Sequence, residues 1–271
     1  MRLAPLPVRI ALLLAGAVAT SVCFQMTTVL KVNADGSGTI DHRMVYTKAA
    51  LAQLKQFAAF GGGRGGGGDP LSEQQARDMT ASIGPGVTYL SSELVTTPLG
   101  QGREAIYAFN DVSTLRISTQ PAAPGGISIK TPGFSTQPSP AESITFTMTH
   151  EANSHAMLHI HVPEPNYLSF FGSPQANGQI GMIKTLLAGA RVLLAAEPAG
   201  ALVRTSSPFV EGQRVTLLDI DLDTVLADET LLPRIQAVAA TPAEAKAVLL
   251  SAKGLKINLD PEITIEFTPA R

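Results

Sequence analysis

The sequence predicts an α+β fold: a mainly antiparallel sheet built from hairpins, with helices packed on it. Three observations lead there. About eleven short runs rich in β-branched residues stand against five or six helical ones. Most neighbouring runs are joined by tight turns rather than by the long crossovers of a parallel sheet. A strand–turn–strand–helix order opens the chain after an export signal, and a similar order returns in residues 201–238.

The first element is a targeting segment. Arg2 and Arg9 supply positive charge, and residues 10–22, IALLLAGAVATSV, form an apolar run. That run falls short of the ~20 residues a membrane-spanning helix needs. Residues 1–22 therefore read as a signal peptide, followed by one envelope domain over 23–271. Two processing readings stand. In one, Cys23 is the lipid-modified first residue of a lipoprotein, although Val22 puts a branched side chain where a small one is usual. In the other, Ala17-Val18-Ala19 is a cleavage site, and a soluble secreted or periplasmic protein results.

Residues 26–46, MTTVLKVNADGSGTIDHRMVY, read as a hairpin. Asp35-Gly36 and Gly38 supply the turn. Thr47 is placed to cap a helix over 48–60, with Leu51, Leu54 and Ala58 on one stripe. GGGRGGGG at 61–68 ends it. This is not a phosphate loop, because no Lys-Ser/Thr pair closes it. Ser72 and Gln75 form a capping box for a second helix to about residue 83. Strands are expected over 87–97 and 103–110, then a short helical piece capped by Asp111. Flexible loops are expected at 61–69 and 119–140, both poor in apolar periodicity.

Residues 143–150 and 155–162 read as a third hairpin, and a helix is expected over 179–188. Three strands, 191–197, 201–207 and 214–222, look like a meander. Asp223 opens a helical stretch to about 238, with Pro233 as a break or new start. Thr241-Pro242-Ala243-Glu244 is a strong helix start. Residues 255–259 and 263–267 then close the chain as a hairpin turning through 260–262.

Composition excludes several functions. Net charge is −2 and charged residues make up 15% of the chain, so no basic field exists to hold nucleic acid. Aromatics are 5% and Trp is absent, which leaves little for base or sugar stacking. One cysteine permits no internal disulfide. No G-x-S-x-G, Cys–His pair or paired carboxylate stands out, so the chain does not read as an enzyme and no cofactor is implied.

Three groups are candidate sites. His150, His155, His159 and His161 lie in THEANSHAMLHIHV, and imidazoles alternating along a strand suit copper or zinc. The plain alternative is a polar, partly exposed strand face. Asp219, Asp221 and Asp223 alternate in LLDIDLDTVL; they suit calcium on paper, but no glycine-bearing ligand loop accompanies them. Tyr167, Leu168, Phe170 and Phe171 cluster in a Pro/Gly-flanked loop. They are either a membrane- or partner-contacting tip or a plug for the core.

Cys23, a short strand and the VNADGSGTI hairpin, in that order, resemble exported bacterial lipoproteins of uncharacterised function, and the hairpin is similar to the LppM-type domain. The resemblance covers residues 23–46. It implies an envelope-anchored α+β domain with lipid binding a possibility, and it transfers no active-site residue. The expected function is an exported, lipid-anchored envelope protein that binds a lipid or protein partner. The alternative is a periplasmic copper- or zinc-binding protein using the histidine strand.

Overall fold

The computed structural model describes residues 24–60, 69–118, 143–150, 155–163, 189–238 and 241–270. In chain order it has β1 (Phe24–Val32), β2 (Gly38–Thr47), α1 (Lys48–Phe60), α2 (Glu73–Asp78), α3 (Thr80–Ile83), β3 (Thr88–Thr96) and β4 (Gly100–Phe109). A single 3-10 turn (Val112–Thr114) precedes β5 (Ile117–Ser118), β6 (Ser143–His150) and β7 (Ala156–His161). Then come β8 (Arg191–Pro198), β9 (Leu202–Thr205), β10 (Val210–Glu211), β11 (Arg214–Asp221), α4 (Leu222–Ala227), α5 (Leu231–Val238), α6 (Pro242–Ser251), β12 (Leu255–Ile257) and β13 (Glu262–Phe267).

Local chemistry sets the early elements as the sequence suggests. In the β1–β2 turn, the Asp35 carboxylate accepts from the Ser37 amide at 2.9 Å, and Gly36 takes φ +84°. Thr47 Oγ1 accepts from the Ala50 amide at 3.2 Å and caps α1. Ser72 Oγ accepts from the Gln75 amide at 3.2 Å and caps α2. That second helix breaks at Met79 into two pieces. The expected helix over 179–188, the expected loop at 61–69 apart from Asp69, and the expected loop at 119–140 lie outside the described residues.

The strands form two sheets. The larger runs β10-β11-β8-β1-β2-β4-β3, with β12 also paired to β11. The smaller runs β5-β6-β7-β13-β9. Pairing is antiparallel except between β1 and β8, which lie parallel from Gln25↔Arg191 to Val32↔Pro198. Two expectations are corrected. The strands at 191–222 do not meander, because β9 leaves for the smaller sheet while β8 and β11 pair directly. Residues 255–267 are not a hairpin: β12 pairs with β11, and β13 pairs with β7 and β9. The cap of the helix after β11 is also shifted, with Asp221, not Asp223, accepting from the Thr224 amide. Pro233 is the third residue of α5, in the first turn, where its missing N–H costs nothing.

One face of each sheet contributes to a shared core. Leu30, Ile40, Tyr107, Phe109 and Leu194 of the larger sheet cluster with Phe146, Leu158, Ile160, Ile265 and Phe267 of the smaller. Tyr107 keeps its hydroxyl satisfied by donating to the Ala76 carbonyl at 2.9 Å, which ties α2 to the same core. At the other end of β1, α1 buries Ala50, Leu51 and Leu54 with Phe24, Tyr46 and Val192. The core is thus dominated by sheet.

Phe267 is 0% exposed and Leu94, on the edge strand β3, is 64% exposed. We expect Phe267→Ala to cost about 3–5 kcal/mol, whereas Leu94→Ser should change stability by less than about 0.5 kcal/mol. Denaturant titration reads both, and comparable losses would show that the inter-sheet core is misassigned.

Candidate functional site

The outward face of the smaller sheet carries the candidate histidines. In β7, Met157, His159 and His161 share one face by the two-residue period, with Glu262, Thr264 and Glu266 of β13 opposite them on one side. Thr145, Thr147 and Thr149 of β6 lie opposite on the other. His159 Nδ1 lies 2.7 Å from Glu262 Oε1, and its Nε2 lies 3.2 Å from Thr149 Oγ1. An ionised carboxylate only accepts, so Nδ1 carries the proton. The Thr149 hydroxyl lies against the other ring nitrogen, Nε2. His161 is exposed and pairs in register with Glu262.

His155 precedes β7. Its Nδ1 lies 2.7 Å from Glu266 Oε1, and Arg204 Nε donates to the other oxygen of that carboxylate. Glu266 is buried, and these two hydrogen bonds, His155 first, hold its carboxyl below the usual carboxylate range. His150 stands apart. It pairs with Ala156, which places it on the opposite face from His159, and its Nε2 donates to the Ala34 carbonyl at 2.8 Å. The β7–β13 ladder therefore sets His159 and His161 beside Glu262, and separately His155 beside Glu266. Among the described residues no three His, Cys, Asp or Glu side chains converge as a metal site.

The three aspartates are each committed to structural partners. Asp219 takes a bidentate pair from Arg191, both bonds 3.0 Å. Asp221 caps α4, and Asp223 accepts from the Gly189 amide at 2.7 Å. Cys23, Tyr167, Leu168, Phe170 and Phe171 lie outside the described residues.

The sequence reading missed His42. It lies on the inward face of β2 with Ile40, Met44 and Tyr46, opposite Thr28, whose hydroxyl is 2.9 Å from its Nδ1. Burial lowers its pKa to about 4. Strand parity was the available signal: a histidine alternating with Ile, Met and Tyr faces the core.

Two further regions complete the surface. At one end of the larger sheet, Phe24 opens β1 and pairs with Tyr46, with Arg191 and Gly100 at the same level on neighbouring strands. At the other end, an open cleft of about 800 Å³ is lined by Lys31, Glu197, Gly200, Gln213 and Thr268 among others. A Cβ on Gly200 would sit 1.5 Å from the Thr268 carbonyl oxygen, so only glycine lets this turn lie against the C-terminal strand. The charged groups of the cleft are already paired, Lys31 with Asp41 at 2.6 Å and Glu197 with Arg214 at 2.6 Å.

No family model matches this chain, and no curated protein does. Among solved structures the chain is similar to the NMR structure of the folded domain of Mycobacterium tuberculosis LppM. The likeness covers 94% of this chain and 95% of that one at 7% identity, with a TM-score of 0.31. At that score it carries no argument about function.

His42 generates a pH prediction. Its folded pKa of about 4 lies below the ~6.5 of an unfolded chain, so between those values the unfolded state binds more protons. Stability from the neutral buried ring is full above pH ~6.5 and is lost as pH falls toward ~4, by up to about 3 kcal/mol. Denaturant titrations across this range should show that slope in the parent protein and a flatter one in His42→Gln. Equal slopes would assign the acid sensitivity elsewhere.

Proposed function

We propose that this is an exported envelope protein, anchored through lipid on Cys23, whose folded domain binds a lipid or protein partner at the membrane surface. The observation that supports this reading is the position of β1. Its first residue, Phe24, directly follows Cys23, so the chain passes from the end of the signal segment into a central strand without a spacer. A lipid on Cys23 would hold the end of the sheet against the bilayer. Each buried CH₂ contributes about 0.8 kcal/mol, so two or more acyl chains hold essentially permanently where one exchanges. No helix among the described residues is long and apolar enough to cross a membrane.

Cys23→Ser should move the protein from the membrane pellet to the soluble fraction, and Val22→Gly should leave it in the pellet. Intact mass gives the decisive check. A mature chain beginning at Thr20 without acyl mass would defeat anchoring.

A second reading keeps the histidine strand as a copper or zinc site. What favours it is the common face of His159, His161 and Glu262, two imidazoles and a carboxylate. Binding would require His159 Nε2 to leave Thr149 and Glu262 to give up the hydrogen bond it accepts from His159 Nδ1. His159→Gln with His161→Gln should then abolish metal retained after dialysis, and parent protein that retains none would remove this reading.

A further inference from the structure

We infer that the exposed face of α1 is a contact surface for anionic lipid headgroups. This inference rests on the proposal that the chain is held at a membrane near Cys23, and it adds which surface meets the lipid and with what charge preference.

Three observations carry it. The first is position. Phe24, the residue after Cys23, opens β1 and pairs with Tyr46. The strand that pairs with β1 ends at Thr47 and runs straight into α1, so Lys48 emerges at the level where the N-terminal segment joins the fold. Packing is the second. Ala50, Leu51 and Leu54 bury α1 in one cluster with Phe24 and Tyr46, which fixes the helix over the start of β1 rather than leaving it on a mobile arm.

Charge is the third. The helix sequence KAALAQLKQFAAF contains two lysines and no acidic residue. Lys48, Ala52 and Lys55 are exposed and follow the i, i+4, i+7 rule, so they form one stripe opposite the buried one. The two ammonium groups are thus carried about 10 Å apart along the helix, at headgroup spacing. Lys48 sits in the first turn, where the helix macrodipole disfavours a cation and usually selects Asp or Glu. A cation there gains nothing from its own helix, and an external anion supplies the missing partner. Ala49 and Ala52 between them are small, so no bulky side chain holds the lysines off a flat surface. The acidic groups nearest in sequence on the described chain are both engaged elsewhere: Asp41 pairs with Lys31 at 2.6 Å, and the Asp69 carboxylate accepts from the Leu71 amide.

The test separates this surface from the anchor. The full exported chain with Cys23→Ser carries no lipid, so any vesicle binding comes from the folded surface. Sedimentation with phosphatidylcholine vesicles, and with vesicles also containing phosphatidylglycerol, should show a preference of about thirty-fold for the anionic ones at low salt, from two lysines. Lys48→Gln with Lys55→Gln should remove most of it. Both side chains are exposed, so circular dichroism melting should be unchanged. Raising salt on the Cys23→Ser chain should abolish the preference as well, which provides a readout that needs no change in α1. Equal binding to both vesicle types, or a preference that survives the double substitution, overturns the inference. Anchoring fails on a different measurement, an intact mass without acyl chains.

Discussion

The structure depends on the two ladders of β1. On one side it pairs antiparallel with β2, across a five-residue connection closed by Asp35 and Gly36. On the other it pairs parallel with β8, a strand that begins at Arg191. The first ladder is local and forms cheaply. The second closes a loop of about 160 residues, and its entropy must be offset by the contacts it completes. Those contacts are large: Leu30, Leu194 and Ala196 join the inter-sheet core, while Phe24 and Val192 join the cluster under α1. A lost β1–β8 ladder would open both clusters at once.

This split between local and distant pairing explains what was legible in the sequence. The hairpins β1–β2 and β3–β4 were readable because each is closed by its own turn chemistry, and β6–β7 because its two alternating runs are close neighbours in sequence. The caps at Thr47, Ser72 and Asp111 were readable for the same reason: each is one side chain acting on an amide two or three residues away. The meander at 191–222 and the hairpin at 255–267 were misread, since alternation identifies a strand but not its partner. Nothing local says that β9 crosses to β13. Nor does anything local say that the buried Asn258 side chain donates to the Thr216 and Leu217 carbonyls, holding β12 on β11 while β13 departs.

The same limit governs the candidate sites. Parity correctly placed His159 and His161 on one face, yet Glu262, which faces both, and Glu266, which holds His155, lie about a hundred residues downstream. The alternating aspartates looked like an oxygen cluster only because Arg191 was not visible as the partner of Asp219. On the larger sheet the outward face carries Lys31–Asp41, Arg214–Glu197 and Arg191–Asp219 pairs across neighbouring strands. Cross-strand pairs like these contribute a few tenths of a kcal/mol to ~1 kcal/mol each and mainly fix register. A chain with 15% charged residues has spent much of its charge on this lattice. The lysines of α1 have no such carboxylate within their own helix, which is why they stand out.

Strand geometry also says how the surfaces relate. Lys31 lies seven residues along β1 from Phe24, about 23 Å at the rise of an extended chain. The cleft lined by Lys31 and Glu197 is therefore at the far end of the sheet from α1. In an anchored protein the two would face different surroundings, α1 the headgroups and the cleft the aqueous compartment. The histidine face belongs to the smaller sheet, on the side away from the shared core, and its His159–His161 end reaches solvent while Met157 and Glu266 on the same face are buried. A membrane ligand and a soluble one would then meet separate parts of the molecule. Occupying either would leave the other accessible, because the core between the two sheets is filled by side chains from both.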